Sequence, residues 1–288
     1  MSEETLQTSD SYSEPQQPWL LYLVLSLFLL VFGPTTVWLY QRWTMSVWQN
    51  GHGILVTLLV IYLLRGELKK TQDLARDSSP VGFLFLVPAL LMHMLDTGMH
   101  SQILSAIALF LALPGLAFIF LGSARTKPLL FPLFSLFLTL PIPLVFTESI
   151  HFALRVIATD SVAWLLKLSN VPVYATGTTL QVEHGTLQVA DACSGFSTLY
   201  AAITIAILTA YFCHSVTRRI VVLLIAAPLA IVVNIARVML LILLVNWFGL
   251  DVLATSAHEL SGLLTFMVAL PIIFYIGRNP EQPQSAEN

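Results

Sequence analysis

Apolar runs alternate with short polar connections along almost the whole chain. About 20 helical residues cross a ~30 Å hydrocarbon core. The runs near 19–40, 46–65, 81–96, 101–122, 128–146, 194–213, 219–247 and 259–277 therefore predict eight transmembrane helices. One connection, residues 147–193, is far longer than the rest. Its first half places Ile150, Ala153, Leu154, Ile157, Ser161, Trp164, Leu165 and Leu168 at helical spacing, interrupted by Arg155, Asp160 and Lys167. That pattern predicts an amphipathic helix lying in the outer interface. Its second half, Thr179 to Val189, repeats the tetrad Thr-Leu-Gln-Val on both sides of Glu183-His184-Gly185, which predicts a small β-hairpin between the fifth and sixth spans. The expected fold is an all-α polytopic transmembrane bundle carrying that extracytoplasmic helix and hairpin. Residues 1–18 are expected as a disordered cytoplasmic tail, 19–277 as one membrane domain and 278–288 as a second cytoplasmic tail.

Composition narrows the class further. Of 288 residues, 57% are hydrophobic and 10% charged, against roughly a quarter charged in soluble domains, which excludes an ordinary globular enzyme or a disordered chain. A net charge of −3 leaves no basic surface for nucleic acid. Lys and Arg are unevenly spread. Nine of them (Arg65, Lys69, Lys70, Arg76, Arg125, Lys127, Arg218, Arg219 and Arg278) fall in one set of alternate connections, and three (Arg42, Arg155, Lys167) in the other. By the positive-inside rule both termini are cytoplasmic and residues 147–193 lie outside, as in a multi-pass protein of the cell's inner membrane. Residues 1–18 carry four acids and no Lys or Arg, unlike a cleavable signal peptide, so the first span is expected to be retained. Cys193 and Cys213 bracket one apolar run, whose helix would separate them by ~30 Å, beyond disulfide reach.

In such a chain the informative residues are polar ones within or beside apolar runs. Arg237 lies inside the seventh run, with Asn234 one turn earlier on the same face. A guanidinium in hydrocarbon costs at least a few kcal/mol, so it reads either as a functional group or as a structural cation held by carbonyls or a carboxylate. Cys193 stands at the outer start of the sixth span. A membrane cysteine is usually inert packing, but a helix N-terminus favours thiolate and offers N–H groups to an oxyanion. Ser194 and Gly195 beside it are small enough for a peptide to approach. His258 opens the eighth span, with Gly262 one turn along the same face. It reads either as an interface anchor or as a neutral imidazole able to take a proton. Cys193, Arg237 and His258 could share one outward pocket. Arg237, however, precedes Trp247 by ten residues, so it lies ~15 Å below the outer end of an unbroken helix. Either the pocket dips into the membrane or the helix is displaced near Pro228.

The other histidines lead less far. His93, Asp96 and His100 have helical spacing that could gather metal ligands, but Gly98 interrupts them and no HExxH motif accompanies them. His52-Gly53, at the start of the second span, reads as a supporting residue or an interface anchor. No metal and no cofactor is expected.

Three blocks, Ala192-Cys193-Ser194-Gly195, Asn234-Ile235-Ala236-Arg237 and His258 with Gly262, resemble in order the Cys, Arg and His motifs of the exosortase/archaeosortase family of membrane cysteine transpeptidases. Pro141-Ile142-Pro143, the stretch from Val171 to Gly185 and His52-Gly53 also resemble its pattern, over roughly residues 45–275. Asp191 stands where the family pattern has Glu. The resemblance implies a protease or transpeptidase that removes C-terminal sorting signals from exported proteins. Such a signal, as in PEP-CTERM proteins, has a short motif, one transmembrane helix and a basic tail. Cys193 would form a thioester, His258 would manage protons, and Arg237 would hold an oxyanion or carbonyl. Asp191, Ser194, Gly195, Asn234, Gly262 and His52 would support them. The resemblance implies release of the cleaved ends to water or their transfer to a surface acceptor. The main alternative is a transporter or lipid-linked carrier in which Arg237 binds an anionic substrate; a structural scaffold for envelope assembly is another.

Overall fold

In the computed structural model the described residues are 18–44, 52–190, 193–249 and 257–278. The chain divides into two compact units, Met1–Pro141 and Ile142–Asn288. Large apolar side chains such as Leu30, Leu84, Val145, Leu224 and Tyr275 lie exposed, while Thr, Ser, Asn and Arg side chains are buried. That distribution suits a chain solvated by lipid and would be an aggregation hazard in water.

The first unit contains α1 (Pro18–Thr44), α2 (His52–Lys70), α3 (Val81–Met99), α4 (Ile103–Thr126) and the short α5 (Leu130–Ser135). α3 and α4 pack closely where two glycines meet. A Cβ on Gly115 would lie 3.0 Å from the Gly82 carbonyl, so small residues set the approach, as membrane helix pairs require. Asp96, buried at the α3–α4 turn, accepts the Ser101 hydroxyl at 2.5 Å and the Ser105 N–H at 3.3 Å. His93 Nδ1 meets Ser105 Oγ at 3.0 Å. The polar triplet at His93, Asp96 and His100 thus helps close a helical turn.

Residues 128–146, expected as one span, form no single helix. They run through the end of a 3-10 turn (Lys127–Leu129), α5, a second 3-10 turn (Leu136–Thr139) and extended backbone before the next helix begins at Leu144. Pro128, Pro132, Pro141 and Pro143 account for the breaks: each removes a backbone donor and restrains the residue before it.

The second unit contains α6 (Leu144–Leu168), strands β1 (Tyr174–Thr176), β2 (Thr179–Val182) and β3 (Gly185–Gln188), then α7 (Phe196–Phe212), α8 (Val216–Phe248) and α9 (Ala257–Gly277). The strands form an antiparallel sheet in sequence order, with Leu180 opposite Leu187 and Val182 opposite Gly185. β1 was not expected; it pairs Ala175 with Leu180. Among the described residues six stretches have the length and composition of membrane spans: 19–44, 81–99, 103–139, 145–168, 216–248 and 260–277; α2 and the shorter apolar α7 are not among them. α6, read from its charges as an interface helix, is among them. Its buried face shares only Leu154 with the apolar stripe picked out by periodicity. Ile150, Ile157, Trp164 and Leu168 point outward, while Thr147, His151, Leu154, Ala158, Val162 and Leu166 point into the unit.

Two apolar clusters organise this unit. In one, Val238, Leu241, Ile242 and Val245 of α8 pack with Ala158, Val162 and Leu166 of α6 and with Leu180, Val182, Leu187 and Val189 around the sheet. In the other, Ala202 and Ala206 of α7 pack with Val222, Ala226 and Ala230 of α8 and Ile273 of α9. The sheet and α6 therefore cover the second half of α8, and α7 covers the first.

Candidate active site

The place where the two clusters meet follows from helix lengths. α7 has 17 residues and α8 has 33, so at 1.5 Å per residue they measure ~26 Å and ~50 Å. A tight connection joins them. Arg219 secures it by donating from Nε to the Ala210 carbonyl at 3.1 Å and from Nη2 to the Cys213 carbonyl at 3.0 Å. Antiparallel helices tied at one end and so unequal in length put the head of α7 about half-way along α8. There stand Asn234 and Arg237.

Asn234, 3% exposed, donates from Nδ2 to the carbonyls of Cys193 at 3.2 Å and Ser194 at 3.1 Å. Its Oδ1 is buried and accepts no hydrogen bond from the described residues. Gly195 caps α7 with φ +82°, a left-handed conformation that glycine adopts without penalty, and a Cβ there would collide with the Asn234 amide. On the other side of the turn, His151 Nδ1 lies 2.9 Å from Ser194 Oγ, and its ring packs 4.5 Å from that of Phe196.

Cys193 is 3% exposed and packs with the first apolar cluster. Burial pushes its thiol above the ordinary value, and the positive charge of nearby Arg237 opposes that rise. The expectation that a helix start would favour thiolate is thus outweighed by desolvation. Arg237, 8% exposed, donates from Nε to Ser261 Oγ at 3.1 Å. A Cβ on Gly262 would sit 3.3 Å from Arg237 Nη2, so this glycine leaves room for the guanidinium. α8 runs continuously from Val216 to Phe248 through Pro228. The Cys193 turn therefore lies at the level of Arg237, about half-way along α8, and no displacement of that helix is needed to bring them together.

Of the residues singled out from sequence, Cys193, Ser194, Gly195, Asn234, Arg237 and Gly262 come together here. His258 lies in the first turn of α9, one turn before Gly262, and its side chain is outside the described residues, as is Asp191. His52 belongs to the first unit, buried at the head of α2. Gly53 beside it makes room for Trp43, whose indole donates to the Thr139 carbonyl at 2.9 Å, so this pair has a packing role there. Sequence reasoning passed over His151 and Ser261. A cavity of about 530 Å³ between α6 and α8, lined by Asp160, Trp164, Val232 and Ile235 among others, opens on the side of α8 away from Asn234 and Arg237 and is not this site.

A family model described as transmembrane exosortase (Exosortase_EpsH) matches residues 43–275. The chain belongs to the transmembrane exosortase family. No curated protein and no solved structure matches it. The matched range of this exosortase includes every residue of the recessed site. Within it, Gly195 gives a first prediction. Gly195→Ala forces a Cβ into a left-handed position and against Asn234, and is expected to cost about 2 kcal/mol or more. Thermal unfolding in detergent should show it, and Asn234→Gly in the same chain should restore part of the loss.

Proposed function

We propose that this exosortase is a membrane cysteine peptidase or transpeptidase. It removes PEP-CTERM-like sorting signals from exported proteins at the extracytoplasmic face. The observation that carries this reading is the juxtaposition of a buried thiol with the Arg237 guanidinium on a turn clamped by Asn234. Cys193 Sγ attacks the scissile carbonyl while its proton passes to His258. Arg237 faces the oxygen on which negative charge develops, and burial strengthens that interaction. The C–N bond then breaks, the leaving amine takes the proton from His258, and the exported protein remains on Cys193 as a thioester. Attack by water, an amine or a hydroxyl regenerates the thiol and leaves an acid, amide or ester.

The substrate class is the one membership of the family implies, and a site half-way along a membrane helix supports it: a signal with a transmembrane helix can enter the bilayer to reach such a site. The basic tail of that signal would remain on the cytoplasmic side. Orientation rests on the nine-to-three bias of Lys and Arg. If α2 crosses as the sequence pattern expects and α6 crosses in place of 128–146, the number of crossings before α7 is still five and the Cys193 turn faces outward. A membrane-impermeant thiol reagent applied from outside is therefore expected to label Cys193 slowly and to spare Cys213. Cys213 is buried at the far end of α7 and bonds the Thr209 and Gly277 carbonyls at 3.3 and 3.2 Å.

The decisive experiment intercepts the acyl-enzyme. In proteoliposomes containing the protein and a reporter with a sorting signal, added hydroxylamine should yield a hydroxamate at the new C-terminus of the reporter. A reporter shortened at the same bond with only a free carboxylate, whatever the hydroxylamine concentration, would overturn the thioester.

A further inference from the structure

We propose that His151 is a positioning residue for the nucleophile, acting through Ser194; this rests on Cys193 as the attacking group. His151 lies on α6, some forty residues before the cysteine, and carries no motif that marks it. It is 6% exposed, so it does not anchor the chain at a wet interface. Its Nδ1 stands 2.9 Å from Ser194 Oγ. That oxygen also accepts the Phe196 N–H at 3.3 Å, and its own proton can be donated to Nδ1 when the ring proton is on Nε2. The ring also lies 4.5 Å from that of Phe196, the first residue of α7, tilted by 34°. One side chain thus fixes both the hydroxyl next to Cys193 and the first residue of the helix it precedes.

The turn is held from two directions. Asn234 of α8 binds the carbonyls of Cys193 and Ser194, and His151 of α6 binds the Ser194 side chain. Residues 193–195 lie between these two grips, with Gly195 in a left-handed conformation and tight against Asn234. Backbone bonds also hold the turn: the Cys193 N–H donates to the Ala190 carbonyl at 2.8 Å. The His151–Ser194 bond adds a hold on the side chain next to the cysteine, and such added holds are how a small displacement of a reacting atom is prevented.

The test compares His151→Phe, His151→Asn and Ser194→Ala, and combines the first with the last, using cleavage of the reporter in proteoliposomes and alkylation of Cys193 by iodoacetamide. His151→Phe keeps the ring packing and loses the acceptor. His151→Asn places an amide oxygen near the position of Nδ1. His151→Phe and Ser194→Ala are each expected to lower kcat about 10- to 100-fold with KM changed less than about threefold, and together to cost no more than the worse of the two. His151→Asn should stay within about fivefold of the parent, and should also restore the Cys193 alkylation rate that His151→Phe alters. Losses that multiply in the double variant, a His151→Phe enzyme with undiminished kcat, or equal losses in Asn and Phe variants would each overturn the proposal. If His151→Phe does not accumulate, Ser194→Ala and His151→Asn carry the comparison. Cys193→Ala separates the two levels: a variant that still cleaves overturns the nucleophile itself, whereas a dead Cys193→Ala with multiplying losses overturns the role of His151 alone. Alkylation reads the position of the turn whichever group attacks.

Discussion

Cys193→Ala is expected to abolish shortening of a sorting-signal reporter, by about a thousandfold or more, while the protein continues to accumulate in the membrane. The two parts of that result have separate causes. Removing the sulfur removes the atom that would form the acyl-enzyme, and a water molecule cannot enter the same tightly packed position to replace it. Stability should change little, because the side chain lost is one atom in a cluster built mainly from α6, α8 and the sheet, at a cost of about 1 kcal/mol. Cys193→Ser should be equally inactive. A hydroxyl in the same buried place is far harder to deprotonate than the thiol, and burial already disfavours charge there. Immunoblots comparing full-length and shortened reporter, normalised to enzyme abundance, check it. Normal shortening by either variant would refute the assignment of the nucleophile.

Arg237→Lys is expected to lower kcat by about a hundredfold or more although the formal charge is kept. The guanidinium is oriented by its Nε bond to Ser261, and Gly262 leaves space beside Nη2. An ammonium has no second arm, so it can satisfy Ser261 or face a developing oxyanion but does not do both with the same geometry. Arg237→Met distinguishes two roles. The positive charge opposes the rise in the Cys193 pKa, so its removal raises that value further and lowers the thiolate fraction at any fixed pH below it. If Arg237 sustains the thiolate, alkylation of Cys193 at neutral pH slows in Arg237→Met and recovers as pH is raised. If it acts on the oxyanion alone, alkylation is unchanged while cleavage is lost. Ser261→Ala, which keeps the charge and frees its orientation, should cost about tenfold in kcat and leave the alkylation profile in place.

The residues of the site were legible where polarity was out of place. Arg237 and Asn234 on one face of an apolar run, and Cys193-Ser194-Gly195 at the start of another, stand out because hydrocarbon penalises polar groups that have no task. His151 did not stand out for the opposite reason. It sits in a segment with several charges, read as a helix lying in the outer interface, so the face opposite its apolar stripe was expected to meet water. In lipid the logic reverses: Ile150, Ile157, Trp164 and Leu168 face outward because the solvent is apolar, and the stripe of Thr147, His151, Ala158 and Val162 is the one that packs. Searching for the small and polar stripe would have found it. Ser261 was in view inside His258-Glu-Leu-Ser-Gly262 but had no partner until α8 and α9 were placed together.

Chain order and composition by themselves determined a polytopic helical membrane protein and which of its few polar residues needed a reason to be where they are, and the resemblance of three short motif blocks pointed to the family. Those properties are local: run length, charge and residue type can be read one segment at a time. The depth of the site was decided by tertiary structure, because it depends on a difference between two helices. A 17-residue α7 tied to a 33-residue α8 ends half-way along it, and α6 with the sheet fills the space above. The cysteine turn is thereby lowered to the arginine, and a histidine from forty residues upstream is brought against it.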